Sequence, residues 1–394
     1  MKLLYISTFM FAEKESQSYG LPANADPFFS KYLDVFEEVR VLGDPLKSFL
    51  DFSALVPMKD SRISVRILPP NTAIKDFKND SYIKQILKEE ILAAEAILIK
   101  PSTRKGMMAE KICEELGKPF MIEMTGDIHN ALQQHPDWKR RLYAPIIYRQ
   151  IKKGIRKCQF ALYVSRDYLQ SKYPIKGEMC GCADVILESA EPAILEHRYA
   201  KIDELQNKER VDMALIGFYQ GKMKGVDTAI RALSLLPEKF HLNILGNGTE
   251  ENRQKWIAYG EERGVHGRIH FPQPLPSSHD VLTWLDTQDF FVLPTLSEGF
   301  GRCVAEAMSR GCVCFCTDIC TMPELLPKEC LFPKKDDVSL ASMIKDAYDN
   351  PAKMKELAKI NFEHAKDYDF ELLRERRNAF LQRFKSYCEQ MKKS

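Results

Sequence analysis

The chain lacks any apolar run of the roughly 18–20 residues that a bilayer-spanning helix needs. It lacks surplus charge: a formal net charge of +2 is too small to argue for a nucleic-acid partner. It has no His-Glu-x-x-His zinc motif and no Ser-His-Asp ordering. Its eleven cysteines, an odd number, follow no regular framework spacing, so free thiols in a reducing compartment are expected. Cys312, Cys314, Cys316 and Cys320 resemble a metal cluster only at first sight. The first three alternate along an apolar run, where cysteine acts as a small core residue. Zinc usually takes a wider Cys-x2-Cys loop. Cys180 and Cys182 are read as core in the same way. The start, Met1–Thr8, has too short an apolar segment for a signal peptide and is followed by Glu13, Lys14 and Glu15, so a first strand is expected. Asp367-Tyr-Asp369 is the nearest approach to a metal-binding Asp-x-Asp, but it falls between expected helices, and no metal is expected.

What is present is the alternation of an α/β protein. At 394 residues, 45% apolar and 28% charged, the chain has material for two domains with ordinary cores. Strands are expected at Lys2–Ser7, Glu38–Leu42, Val65–Leu68, Ala94–Ile99, Phe120–Glu123 and Phe160–Val164. Helices are expected at Phe28–Phe36, Tyr82–Leu92 and Lys105–Leu116. This order predicts a parallel sheet with both faces covered. Ligands bind such sheets beyond the carboxyl ends of the strands, which puts the loops Thr8–Asn24 and Met124–Ala131, with Ser165, on one rim. Val185–Leu187 reads as a short strand, Glu188–His197 as connection, and Lys201–Arg210 as a linker or solvated surface helix. The pattern restarts with strands at Met213–Ile216, His241–Leu245, Arg268–Phe271, Phe290–Leu293 and Cys312–Cys316, and a helix at Asp227–Leu236. Two long amphipathic helices, Pro351–His364 and Phe370–Met391, end the chain.

The most informative stretch is Leu293–Gly311. A buried strand runs into Gly299 and Gly301, and a helix is expected from about Arg302 to Ser309. Unpaired N–H groups and a positive macrodipole make such a helix start a phosphate site. Glu298 and Glu306 stand eight residues apart around it. Glu306 lies past the first turn, where favourable interaction with the dipole fades. Carboxylates beside a phosphate site commonly accept hydrogen bonds from sugar hydroxyls. The pattern therefore suggests one sugar on each side of a diphosphate.

Glu298-Gly-Phe-Gly, Glu306-Ala-Met and Gly311 resemble the Glu-x7-Glu signature of retaining family-4, or group 1, glycosyltransferases. The resemblance extends to Lys224-Gly225-Val226-Asp227 and to Pro323-Glu324, and is strongest over about 210–330. It implies the GT-B fold: two Rossmann-like domains with parallel sheets facing a central cleft. The boundaries are residues 1–190 on the acceptor side, completed by a helix at about 372–394, and residues 191–371 holding the nucleotide-sugar. It implies that Glu298 orients the donor sugar, Glu306 contacts ribose, and Lys224 neutralises the diphosphate. The implied donor-binding set also includes Gly299, Phe300, Gly301 and Arg302, with Gly217, Lys222, Gly246 and Gly248 on neighbouring loops. Two features of the family differ. Phe218 and Tyr219 stand where an Arg is usual, and Tyr19-Gly20 stands where the family has a Gly-Gly loop.

Asp127 and His129, in the loop after an expected strand, are candidates for a catalytic role towards donor or acceptor. Asp127 as a helix cap is the plainer reading. Residues 139–157 hold eight basic residues and no acid, with Tyr143, Ile147, Ile151 and Ile155 recurring every four positions. Such a helix fits an anionic membrane surface, or a core-packed helix with a solvated basic face; the sequence leaves both open. The resemblance thus implies a metal-independent transferase that moves a sugar to a glycan or lipid-linked acceptor. No cofactor is expected, the nucleotide-diphosphate-sugar (UDP- or GDP-linked) being a substrate. The expected setting is bacterial surface polysaccharide or glycolipid assembly in the cytoplasm, at the inner face of the cell membrane if 139–157 binds lipid. The alternatives are a GT-B nucleotide-sugar epimerase and a non-catalytic glycosyltransferase-like partner subunit.

Overall fold

A computed structural model describes residues 1–46, 52, 55–71, 74–187 and 190–393. The chain divides into two compact units. The first comprises Met1–His129, Leu142–Cys182 and Leu373–Ser394. Its strands are β1 (Lys2–Lys14), β2 (Gln17–Gly20), β3 (Glu38–Pro45), β4 (Val56–Pro57), β5 (Ile63–Ile67), β6 (Ala96–Ile99), β7 (Met121–Met124), β8 (Phe160–Tyr163) and β9 (Glu178–Gly181). The parallel strands run β5-β3-β1-β6-β7-β8-β9, with Leu3 opposite Ala96 and Ile6 opposite Ile99. Leu3–Ile6, at the centre, is almost wholly buried.

The expected loop Thr8–Asn24 is corrected: β1 continues to Lys14 and turns back as β2. Glu15 and Ser16, at φ 52° and 63°, make a two-residue turn with both positions left-handed, the geometry that matches strand twist in a hairpin. Phe11 is fully buried, and the ring of Phe9 meets Phe28 edge-on at 4.8 Å, so apolar packing holds the extension in place. Tyr19-Gly20 therefore belongs to a strand, with Gly20 opposite Phe11. β2 and β4 pair antiparallel, so this sheet is mixed at that end.

Helices cover the sheet through apolar stripes. Asp80–Ala93 buries Ile83, Ile86, Leu87 and Ile91. Arg104–Leu116 starts at Thr103, whose hydroxyl accepts from the N–H of Gly106 at 2.9 Å, and ends on Gly117 at φ +64°. The last helix, Phe370–Lys393, packs Phe380 and Phe384 on Phe160 and pairs Arg374 with Asp34 at 2.8 Å. β9 holds Cys180 buried in the sheet, and the adjacent Cys182 is buried too. Val185–Leu187 forms no strand; Leu187 makes an isolated bridge to Asp369.

The second unit comprises Asn130–Arg141 and Ala183–Leu372. Its strands β10 (Val211–Ile216), β11 (Phe240–Leu245), β12 (Ile269–His270), β13 (Phe290–Leu293), β14 (Val313–Thr317) and β15 (Leu331–Phe332) form an all-parallel sheet ordered β12-β11-β10-β13-β14-β15. Cys312, Cys314 and Cys316 are fully buried along this sheet.

The expected connection Glu188–His197 is corrected, and of the two readings of Lys201–Arg210 the surface helix holds as far as Asn207. Glu188 lies outside the described residues, but Pro192–Glu204 is a helix anchored by Arg198. Arg198 is 2% exposed and donates to the carbonyls of Arg310, Gln288 and Leu285 and to Cys312 Sγ. Its acceptors lie about 90–110 residues away, so no local pattern marks it. Lys201 follows suit, donating to the carbonyls of Asp286 and Gln288.

Candidate functional site

The site grows from the carboxyl ends of β10 and β13, adjacent strands of the second sheet. Two loops, one after each strand, are clamped together by backbone. Leu296 donates its N–H to Met223 O at 2.8 Å, and the buried Thr295 hydroxyl reaches the same carbonyl at 3.0 Å. Gly225 sits at φ +72°, and a Cβ there would stand 1.8 Å from Pro294 O. Only glycine fits this position, which then starts the helix Val226–Ser234.

The clamp delivers Lys224 to Glu298. Lys224 Nζ hydrogen-bonds Glu298 Oε1, with side-chain exposures of only 20% and 10%. Burial pulls the Lys224 ammonium towards neutrality, but the facing Glu298 carboxylate outweighs it and holds the pKa above the ordinary lysine value. Gly217 is part of the same arrangement. A Cβ there would lie 2.7 Å from Lys224 Cγ and 2.9 Å from Cδ, so the missing side chain is where the lysine stem passes.

Beyond Glu298, the helix Arg302–Ser309 begins on Gly301 at φ +94°, without a side-chain cap. Its first N–H groups are left for an anion, favoured by the dipole. The turn is fixed from behind: Thr321 donates to Phe300 O at 2.9 Å, and the Phe300 ring meets Tyr368 at 5.1 Å. Glu306 is half-buried, and among the described residues no side-chain partner meets its carboxylate. Burial raises its pKa, and Arg302, exposed on the same helix, offsets this only in part.

The remaining glycines serve close approach. A Cβ on Gly246 would lie 2.1 Å from Gly217 O, and one on Gly248 would lie 2.1 Å from the Tyr219 ring. Tyr219, at the position where an Arg is usual, packs on Phe271 at 5.0 Å, and its carbonyl accepts from Trp256 Nε1 at 2.7 Å. It shapes the loop and brings no charge. Lys222 does not replace that charge in a buried setting: its side chain is 68% exposed and stands 3.7 Å from Asp227.

Asp127 and His129 lie in the first unit, beyond the end of β7. Asp127 is 3% exposed and accepts from the hydroxyls of Tyr173 and Tyr168, each at 2.6 Å, with Lys172 Nζ at 3.3 Å. The His129 N–H donates to the Tyr173 hydroxyl, and its ring lies 4.9 Å from that of Tyr148. Asp127 is thus held in a tyrosine cage that fixes the loop carrying His129. Among the described residues no cluster of three His, Cys, Asp or Glu is placed to hold a metal ion. Thr295 and Thr321 are positioning residues that the sequence did not mark. A threonine whose partner lies 72 residues away leaves no local pattern.

The fold is GT-B, with parallel sheets in two α/β domains, and its second sheet carries a lysine–glutamate pair beside an uncapped helix start. Residues 203–364 match the family model "Glycosyl transferases group 1". The chain is 24% identical to Protein CapJ of Staphylococcus aureus over 351 residues, 87% of this chain and 85% of that one. It is 31% identical to the O-antigen biosynthesis glycosyltransferase WclY of Escherichia coli over 130 residues, 33% of this chain and 35% of WclY. The crystal structure of Anabaena HepE in complex with UDP and glucose superposes with a TM-score of 0.67 at 13% identity, covering 97% of this chain and 99% of HepE. Residues 203–364 are thus similar to group 1 glycosyltransferases, and the chain is similar to proteins that include O-antigen and lipopolysaccharide biosynthesis glycosyltransferases.

Proposed function

We propose that the protein transfers a glycosyl group from a nucleoside-diphosphate sugar to a glycan or lipid-linked acceptor, with retention of anomeric configuration. The observation that carries this reading is the Lys224–Glu298 pair beside the uncapped start of Arg302–Ser309, with the half-buried Glu306 carboxylate on the same helix. The donor is a UDP-sugar, on the analogy of the UDP bound in HepE. Its diphosphate lies on the helix N-terminus and draws the Lys224 ammonium, while Glu298 turns to the donor sugar and Glu306 accepts from ribose hydroxyls.

The bond between the anomeric carbon and the β-phosphate oxygen breaks, and the acceptor hydroxyl oxygen bonds to that carbon from the same face. The acceptor proton passes to the departing phosphate oxygen. Lys224 and the helix N–H groups stabilise the charge that builds on that phosphate, which is where preorganised dipoles act most strongly. Asp127 holds the loop of His129 through its tyrosine cage, and Phe300 and Gly301 set the turn. No metal is assigned a step. The setting is assembly of a bacterial surface glycan in the cytoplasm.

The test is thermal unfolding against nucleoside diphosphates and their sugars. At 100 times its dissociation constant a ligand adds about 2.7 kcal/mol to native-state stability, which is readily measured. A stabilising nucleotide followed by acceptor-dependent turnover supports the reading. Failure of every nucleotide to stabilise removes the donor site. Turnover of the sugar nucleotide without acceptor reassigns the site to rearrangement of the donor alone.

A further inference from the structure

One stretch of the second unit comes from between two strands of the first sheet. The chain leaves β7 at Met124, and from Asn130 to Arg141 it belongs to the second unit before returning towards β8. The change falls inside the short helix Ile128–Gln133. Asn130, the first residue of this stretch, reaches two loops of the second unit with one side-chain nitrogen. Its Nδ2 donates to Leu296 O at 3.4 Å and to Cys320 Sγ at 3.0 Å.

Both acceptors belong to loops that frame the donor site. Leu296 stands two residues before Glu298 and follows β13. Cys320 follows β14, the neighbouring strand, and precedes Thr321, whose hydroxyl fixes Phe300 O. A single amide thus links the carboxyl ends of two adjacent strands, with the turn Gly299–Gly301 between its two contacts in the chain. It completes the hold on Leu296, whose N–H goes to Met223 O at 2.8 Å while its carbonyl takes the Asn130 amide. Cys320 sits at φ +51°, a left-handed conformation that a residue with a side chain rarely adopts unless its surroundings fix it. The Asn130 amide is part of that surrounding.

A neutral donor suits this place. An ammonium here would compete with Lys224 for Glu298, and a carboxylate would repel it. An amide holds the loop and leaves the charge balance of the Lys224–Glu298 pair untouched.

We propose that Asn130 is a positioning residue for the donor sugar, holding the loop Leu296–Glu298 so that the Glu298 carboxylate meets the sugar hydroxyls. The grip on the nucleotide stays with Lys224, Glu306 and the helix start at Gly301. This rests on the donor-site reading and adds to it a residue from outside the segment that matches the family model.

The experiment compares, by titration calorimetry on the full-length protein, affinity for UDP with affinity for the UDP-sugar that most stabilises the parent in thermal unfolding. In Asn130→Ala, and in Asn130→Leu, which keeps bulk without a donor, the UDP-sugar should bind about 2- to 12-fold more weakly, the scale of one neutral hydrogen bond. UDP affinity should stay as in the parent. Asn130→Gln, with a donor on a longer stem, should recover part of the loss. In a Glu298→Ala background Asn130→Ala should add no further loss, because it acts through that carboxylate. Amide hydrogen exchange over Leu296–Gly301 should accelerate in Asn130→Ala while the melting transition is retained.

Three results overturn the proposal. One is an equal loss of UDP and UDP-sugar affinity in Asn130→Ala, which makes the residue a general support of the unit. The second is parental behaviour of Asn130→Leu, which makes bulk rather than donation its role. The third is a full additive loss in the Glu298→Ala background. If neither UDP nor any UDP-sugar binds the parent, the donor-site reading itself fails. Exchange over Leu296–Gly301 then decides the hold alone: acceleration in Asn130→Ala supports it, and unchanged exchange overturns it.

Discussion

Replacing Lys224 and Glu298 with Ala, singly and together, tests the core of the donor site. With 20% and 10% of their side chains exposed, the two groups sit between the limits for ion pairs. Fully exposed pairs contribute about 0–1 kcal/mol, and removing one partner of a fully buried pair costs about 3–5 kcal/mol. Each single replacement should therefore destabilise the second unit by about 2–3 kcal/mol, because it strands a largely desolvated charge. The double replacement strands neither, so it should cost less than the sum by about 1–2 kcal/mol. The Lys224 pKa is raised, so the pair's contribution is fully present below the ordinary lysine range and is lost as pH rises through the native value. The coupling should thus hold at neutral pH and shrink in strong alkali. Denaturant unfolding read from the second unit gives these numbers, and titration calorimetry gives nucleotide affinity. A charge-assisted hydrogen bond is worth about 1.5–3 kcal/mol, so Lys224→Ala should weaken UDP binding about 10- to 150-fold. Additive destabilisation, or unchanged UDP affinity in Lys224→Ala, would refute the assignment of Lys224 to the diphosphate.

Gly217→Val should weaken nucleotide binding by displacing the Lys224 stem, whereas Gly221→Ala, with nothing within 4 Å of its Cβ, should leave it unchanged; calorimetry on both decides. Glu110→Gln should stabilise the first unit at neutral pH, because it replaces a buried carboxyl that titrates with an isosteric amide that does not. Because the native pKa of Glu110 is raised, the parent loses stability as pH climbs past the ordinary glutamate range, so its melting curve should converge with the variant's in acid. Arg198→Met should cost about 3–5 kcal/mol in denaturant unfolding, since it removes a buried charge that satisfies three carbonyls. The thiols of Cys314 and Cys316, pushed well above the usual range by burial, should resist alkylation in the native state and react on unfolding.

Much of the second unit was legible because its signals are local. The apolar run before Pro294, the glycines at 299 and 301 and the helical spacing to Ser309 lie within one short segment, and the observed strand Phe290–Leu293 and helix Arg302–Ser309 have the expected bounds. Buried alternation at Cys312–Cys316 was equally readable, since a fully covered parallel strand is apolar along its length. The errors fell where distant residues decide. Thr8–Asn24 carries polar residues and a glycine, yet Phe9 and Phe11 find apolar partners and the chain stays extended to Lys14 before turning back as β2. Pro192–Glu204 begins in an expected connection, yet its Arg198 is a buried connector.

By itself, the sequence determined the α/β alternation, the uncapped helix start and the presence of two carboxylates around it, because helix and strand periodicities and glycine's conformational freedom act over a few residues. Only the tertiary structure decided which charges meet. Lys224 and Glu298 are 74 residues apart and become partners because β10 and β13 are neighbours and Gly225 lets their loops touch. Among the described residues Glu306 meets no side-chain partner, and Asp127 lies among tyrosines, for the same reason. A side chain's charge state depends on the dielectric and the neighbours that packing gives it, and neither is written in the residues on either side.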